Sequence, residues 1–140
     1  MTTEQLFTLI GRVRDRASAL MQSELKARGL DGLVASHGEL LSQLLQADGQ
    51  SMQALAEAIG RDKSTVTALV KKLAAQALVE TRKDLQDQRM TRVFLTASGR
   101  SLRPTFEAVN HSLLARMYQG LSWEERQRLV DTLNKVLHNL

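Results

Sequence analysis

A chain of 140 residues with 43% hydrophobic side chains has material for one core, and with five aromatics that core must rest on Leu, Val, Ala and Met. Nineteen basic and fifteen acidic residues leave a net charge of +4, and the absence of cysteine excludes a disulfide framework, a thiolate metal site and a thiol redox switch. No apolar run approaches the ~18 residues needed to span a bilayer, and Met-Thr-Thr-Glu-Gln lacks the basic-then-apolar order of a signal peptide, so a cytoplasmic protein without membrane contact is expected.

Leu6, Leu9, Ile10, Val13, Ala17, Leu20, Met21 and Leu25 recur at helical spacing and predict one amphipathic helix over residues 4–28, stopped by Gly29, Asp31 and Gly32. Ser36 is the expected N-cap of a second helix reaching Gln46, with Leu40, Leu41, Leu44 and Leu45 on its apolar face. Asp48-Gly49 breaks the chain again. Ser51 then caps a helix carrying Leu55-Ala56-Glu57-Ala58-Ile59-Gly60, and Asp62 caps another running to Leu73, its carboxylate facing the positive helix end. Small Ala56 lets these two helices approach, Gly60 turns the chain between them, and Val66 and Leu69 bury the second against the first. That spacing is the pattern of a helix-turn-helix, whose second helix enters the DNA major groove.

Beyond Leu78 the pattern becomes strand-like over Leu78 to Lys83 and Thr91 to Thr96, joined by the polar loop Asp84-Leu85-Gln86-Asp87-Gln88-Arg89-Met90. Two strands with a seven-residue connection make a protruding hairpin, a wing. Thr96 caps a helix predicted over 97–119 with a kink at Pro104. Gly120 breaks it, and Ser122 caps a last helix with Trp123, Leu129, Val130, Leu133, Val136, Leu137 and Leu140. The fold class is mainly α with a small β-hairpin wing (α+β), a winged helix-turn-helix between N- and C-terminal helices.

Charge agrees with that reading. Residues 61–92 hold eight basic side chains against four acidic ones, while the rest of the chain has eleven of each, so the whole positive excess lies on the predicted DNA-binding segment. Counterion release from phosphates would use it there. Helix geometry turns Val66, Leu69, Val70 and Leu73 to the core and leaves Ser64, Ala68, Lys71 and Ala75 opposite, flanked by Thr67 and Lys72, with Thr65 beside Lys63 near the helix start. The expected DNA contacts are Lys63, Ser64, Thr65, Thr67, Ala68, Lys71, Lys72, Arg82 and Arg89. Hydroxyls can donate to phosphates or read base edges, and Ala68 can meet a thymine methyl. Lys71 and Lys72 suit phosphates. Arg89 suits a narrow A·T-rich minor groove, oriented by Asp87.

Six helices with a winged hairpin between the fourth and fifth resemble the MarR family of bacterial transcriptional regulators. The resemblance is carried by Leu55-Ala56…Ile59-Gly60, Ser64-Thr65-Val66-Thr67…Val70…Leu73, Leu78-Val79, and the wing Asp84…Asp87-Gln88-Arg89…Arg92-Val93-Phe94-Leu95-Thr96…Gly99. It implies one domain over 1–140, with a DNA-binding lobe at 33–100 and dimerisation helices at 1–30 and 105–140. It also implies a homodimer on double-stranded DNA, and control by a ligand or oxidant that changes the spacing of the two lobes. The wide apolar stripes of the terminal helices independently ask for a second copy, or for packing on each other within a monomer. Without cysteine the switch left open is a small aromatic or phenolic effector whose binding releases a homodimeric repressor from a pseudo-palindromic operator. Three positions depart from the family pattern. Ala68 stands where an arginine is common, Ala77 replaces the glycine before Leu78-Val79, leaving no left-handed glycine cap, and Leu85 replaces a proline, which suggests a looser wing.

Nothing in the chain points to catalysis, a metal or a cofactor. His37, His111 and His138 lack metal-pair spacing, and there is no Gly-rich phosphate loop, Gly-x-Ser-x-Gly elbow or His-Glu-x-x-His. His37 reads as a half-buried polar residue near a helix start, or as one wall of the effector pocket that the family resemblance implies. Arg12, Arg14 and Arg16 read as a solvated face. An architectural DNA binder without an effector, and a protein-docking module, are the other functions compatible with these features.

Overall fold

In a computed structural model that describes all residues 1–140, one 3-10 turn (Thr3–Gln5) leads into α1 (Leu6–Ala27), followed by α2 (Ala35–Gln46), β1 (Gln50–Ser51), α3 (Met52–Ile59), α4 (Lys63–Ala75), β2 (Val79–Lys83), β3 (Thr91–Leu95), α5 (Ala97–Ser101), α6 (Arg103–Met117) and α7 (Trp123–His138). The strands form one antiparallel sheet in the order β1-β3-β2.

The helix-turn-helix follows from its caps. Ser51 Oγ accepts from Ala54 N (3.0 Å) at the start of α3. Gly60 takes the left-handed conformation (φ 67°), which a side chain would oppose, and Arg61 N–H then donates to Ala56 O at 3.0 Å to close the turn. Asp62 Oδ1 accepts from Thr65 N (2.7 Å) and opens α4. Leu55, Ala56 and Ile59 of α3 meet Val66, Leu69, Val70 and Leu73 of α4 in a core completed by leucines of α2, Leu78, Val79, Val93 and Leu95 of the sheet region, Leu25 of α1, and Phe106 and Val109 of α6. Each such side chain, fully buried, is worth about 1.5–3 kcal/mol of apolar transfer, so this cluster is what holds the wing and α4 in fixed relation.

Four expectations need correction. Ser36 is not the N-cap of α2: the helix starts at Ala35 behind Val34, and His37 Nδ1 accepts from Val34 N at 2.9 Å, taking the part a glutamine or glutamate plays in a capping box. The helix predicted over 97–119 is two helices. Pro104 has no N–H to return to Arg100 O, so the chain breaks at Leu102, whose own N–H turns back to Gly99 O (3.2 Å), and α6 restarts with the proline in its first turn. The helical segments therefore number seven. The third correction is that Ala77, although not glycine, is left-handed (φ 59°), with Leu78 N donating to Leu73 O (3.0 Å) and Ala77 N to Ala74 O (2.9 Å) in a Schellman end. Finally the hairpin gains a third strand: Gln50 and Ser51 pair with Val93 and Arg92, and Asp48 Oδ1 accepts from Leu95 N at 2.8 Å just beyond them.

α7 stands apart. Ser122 and Glu125 cap it reciprocally, and at its start Arg126 lies over the Tyr118 ring and donates to Leu121 O, yet none of its sixteen residues is buried. Leu129, Val130, Leu133 and Leu137 are exposed, as are Leu6, Phe7, Leu9, Ile10 and Val13 on the N-terminal half of α1. The C-terminal half of α1 is tied down by Leu25, Met21 and its contact with α6.

Candidate nucleic-acid interface

On α4 the structure leaves Lys63, Ser64, Thr67, Ala68, Lys71 and Lys72 exposed in one surface, with Thr65 half-buried at its edge. Two of the hydroxyls have their protons engaged within the chain: Ser64 Oγ donates to Asp62 Oδ1 (2.8 Å) and Thr67 Oγ1 donates to Lys63 O (2.9 Å). They therefore face outward as acceptors, and Thr67 also offers its methyl group, rather than as the donors that residue type alone suggests. Lys72 diverges from Lys71. Its Nζ lies beside Gly32 in the α1–α2 connection and near His37, so it serves the edge of this surface.

The wing is ordered by two carboxylates. Asp84 Oδ2 accepts from Gln86 N (3.0 Å) and Asp87 N (2.9 Å), and its Oδ1 accepts from Arg92 Nε (2.6 Å). Asp87 Oδ1 accepts from Arg89 N and Arg89 Nε, both at 3.1 Å, while its Oδ2 takes Arg89 Nη2 at 3.4 Å. The Arg89 side chain is nevertheless 92% exposed. Leu85 itself is exposed, and the loop on either side of it is held by the Asp84 hydrogen bonds to the Gln86 and Asp87 amides. Arg82 pairs with Glu80 and lies 4.2 Å above the Phe94 ring, flat on the sheet and away from the loop tip. Between the wing and the starts of α3 and α4 runs a cleft of about 340 Å³ that brings Lys63 of α4 together with Arg89 and Thr91 of the wing and Gln53 of α3.

Residues 33–91, from the start of α2 through α4 and the wing loop, match the model of the MarR family. Over 116 residues the chain is 30% identical to the HTH-type transcriptional regulator YdgJ of Bacillus subtilis, covering 83% of this chain and 71% of that protein. A MarR-family regulator from Silicibacter pomeroyi superposes with a TM-score of 0.77 at 31% identity, over 94% of this chain and 87% of that one. The chain belongs to the MarR family. It is accordingly a DNA-binding transcriptional regulator with the helix-turn-helix architecture of that family. BpsR of Bordetella bronchiseptica, whose DNA binding is regulated by 6-hydroxynicotinic acid, superposes with a TM-score of 0.83 at 26% identity, over 94% of this chain and 98% of that one.

Within this MarR fold the electrostatics follow the hydrogen bonds. The backbone N–H of Thr65, helped by the Ser64 hydroxyl, holds the Asp62 carboxyl below its ordinary value. The Arg92 guanidinium lowers Asp84, and the Arg89 guanidinium lowers Asp87. Burial, with Lys72 second, lowers His37 below the usual 6.5. His37 is only 4% exposed, and its Nδ1 is occupied by the Val34 N–H, so its first role is to start α2. Asp84 and Arg92 were not among the predicted site residues. A carboxylate at one end of the loop and a guanidinium at the other was the available signal, but Asp84 and Arg92 entered only through the wing motif and the charge count.

Proposed function

We propose that the protein is a homodimeric repressor that holds a pseudo-palindromic operator and releases it when a small aromatic or phenolic molecule binds. One observation carries the reading: a cationic α4-and-wing surface is built on a buried core, while α7 buries none of its residues in its own chain. Lobe 33–100 would read DNA. Segments 1–30 and 105–140 would join two copies, burying Leu9, Ile10, Val13, Leu129, Val130 and Leu133 against their equivalents. An isologous interface of that kind fixes the spacing of two α4 helices, which is the quantity that two half-sites one helical turn apart demand.

Lys63, Lys71 and Lys72 would contact phosphates, Ser64 (as an acceptor), Thr65, Thr67 and Ala68 the major-groove edges, and Arg89 the flanking minor groove, with Arg82 supporting the sheet rather than reaching DNA. His37 sits where the connection from α1 enters α2, so a ligand reaching its Nε2 would act on the joint between dimer helices and DNA lobe. The BpsR precedent makes hydroxylated aromatic acids the first class to try. Acting on chromosomal operators, the protein would work in the cytoplasm.

Light scattering of the protein on an operator selected from random DNA, then titration with such acids, tests the proposal. It expects two chains per duplex and release by at least one acid at a concentration that leaves the fold intact. One chain per duplex contradicts the dimer, and DNA retention throughout the acid series contradicts release by this ligand class.

A further inference from the structure

Arg89 leaves the wing almost wholly in solvent, so its direction is set by what holds the loop beneath it. The loop closes through Asp84 N donating to Met90 O (2.8 Å) and Met90 N to Asp87 O (2.9 Å). At its base the Asp84 side chain is 17% exposed and binds three donors: two loop amides and the Arg92 guanidinium. Arg92 has a second attachment, Nη1 donating to Gly49 O at 2.9 Å in the turn between α2 and β1. That turn is itself packed, since a Cβ on Gly49 would sit 2.8 Å from the Phe94 ring. A continuous chain of polar contacts thus runs from the α2–β1 turn through Arg92 and Asp84 to the Gln86 and Asp87 amides. From there the Asp87 carboxylate passes it to Arg89.

We propose that Asp84 and Arg92 form a brace that aims Arg89, making them positioning residues for recognition of the DNA flanking each half-site. The inference rests on the reading of Arg89 as a minor-groove contact. Physically, an arginine on an unrestrained seven-residue loop must lose loop and side-chain freedom on entering the groove, and the brace removes the larger part of that loss in advance. The same brace keeps the guanidinium of Arg92 occupied, so Arg92 is a tie rod rather than a phosphate contact, despite its charge.

Asp84→Asn separates these roles, because it makes the wing more positive while dropping the charge-assisted bond to Arg92. Three quantities are measured on the full chain: NMR relaxation of the Arg89 amide and Nε without DNA, affinity for operators with A·T or G·C flanks, and the slope of affinity against salt. For Asp84→Asn the brace expects Arg89 to become mobile on the nanosecond scale and the flank preference to fall roughly tenfold, the worth of one good reading contact, with thermal unfolding still cooperative. Arg92→Gln should do the same without reducing the salt slope. In an Arg89→Ala background, Asp84→Asn should change the preference no further. Unaltered Arg89 relaxation in Asp84→Asn, or tighter binding to all duplexes with the preference kept, overturns the brace. An Arg89→Ala protein that keeps the flank preference overturns the minor-groove reading itself, and the positioning role with it.

Discussion

Ala77 sits at φ 59°, a conformation that costs an L-residue with a Cβ about 1–2 kcal/mol relative to the right-handed one. Glycine there would relieve that strain while adding freedom to the unfolded chain, so Ala77→Gly should stabilise by roughly 1 kcal/mol net, read as a higher urea midpoint at unchanged slope. Gly99 behaves oppositely. A Cβ would stand 2.2 Å from Leu78 O, a backbone atom that cannot swing aside, and Gly99→Ala should destabilise by about 1–3 kcal/mol in the same measurement. His37 contributes a pH dependence. Its folded value lies below the ordinary 6.5 and its Nδ1 must stay unprotonated to accept the Val34 N–H, so the unfolded chain takes up a proton that the fold resists. Stability is then complete above the unfolded value and declines as pH falls through 6.5 toward the lower folded value. The lowered aspartates act only in the carboxylate range, below about pH 4, and do not overlap this window. Thermal melts from about pH 8 to about pH 5 should slope downward for the native chain and be flatter for His37→Gln, which keeps the capping acceptor without the titration.

Among the elements, the helix starts that carry a small polar cap were readable from the chain. Ser51, Asp62, Thr96 and Ser122 all accept the backbone bonds expected of N-caps, and Gly60 makes the expected turn. The elements that escaped reading depend on partners distant in sequence or on unusual ones. β1 has two residues, too few for any alternation, and exists because Val93 and Arg92 lie opposite it. The start of α2 is set by an imidazole accepting a bond, a task that residue preferences assign to Ser36. The α4 surface was readable from its period, but the committed hydroxyl protons of Ser64 and Thr67 and the Asp84–Arg92–Gly49 connection were not, since each needs a side-chain direction. For α4, Thr67→Ala should reduce discrimination between operator variants by about 1 kcal/mol, while Lys71→Ala should weaken all duplexes alike and flatten the salt slope. Titrations of matched and altered operators at two salt concentrations distinguish the two outcomes, and equal loss on specific and random DNA for Thr67→Ala contradicts its assignment as a base reader.

For the whole molecule, the position of the uncovered apolar surface governs the behaviour. Leu9 of α1 and Leu133 of α7 are both about two-fifths exposed in the single chain, on faces with no partner within it. An unpaired carboxylate in a shared interface is strongly unfavourable, so Leu9→Asp and Leu133→Asp should each shift light scattering at tens of micromolar, roughly the working range for a stable dimer, from two chains toward one. Both variants should keep the lobe folded, because neither residue belongs to its core. Loss of the dimer should then also remove cooperation between half-sites on DNA. Selection of duplexes from a random pool by the native protein tests most directly whether α4 and the wing read DNA as a two-fold pair. The expected result is an enriched inverted repeat whose half-sites lie about 10 base pairs apart, or a multiple of that, with A·T-rich flanks under the wings. Recovery of a pool no different from the input, at affinities that track salt alone, contradicts sequence-specific reading by this surface.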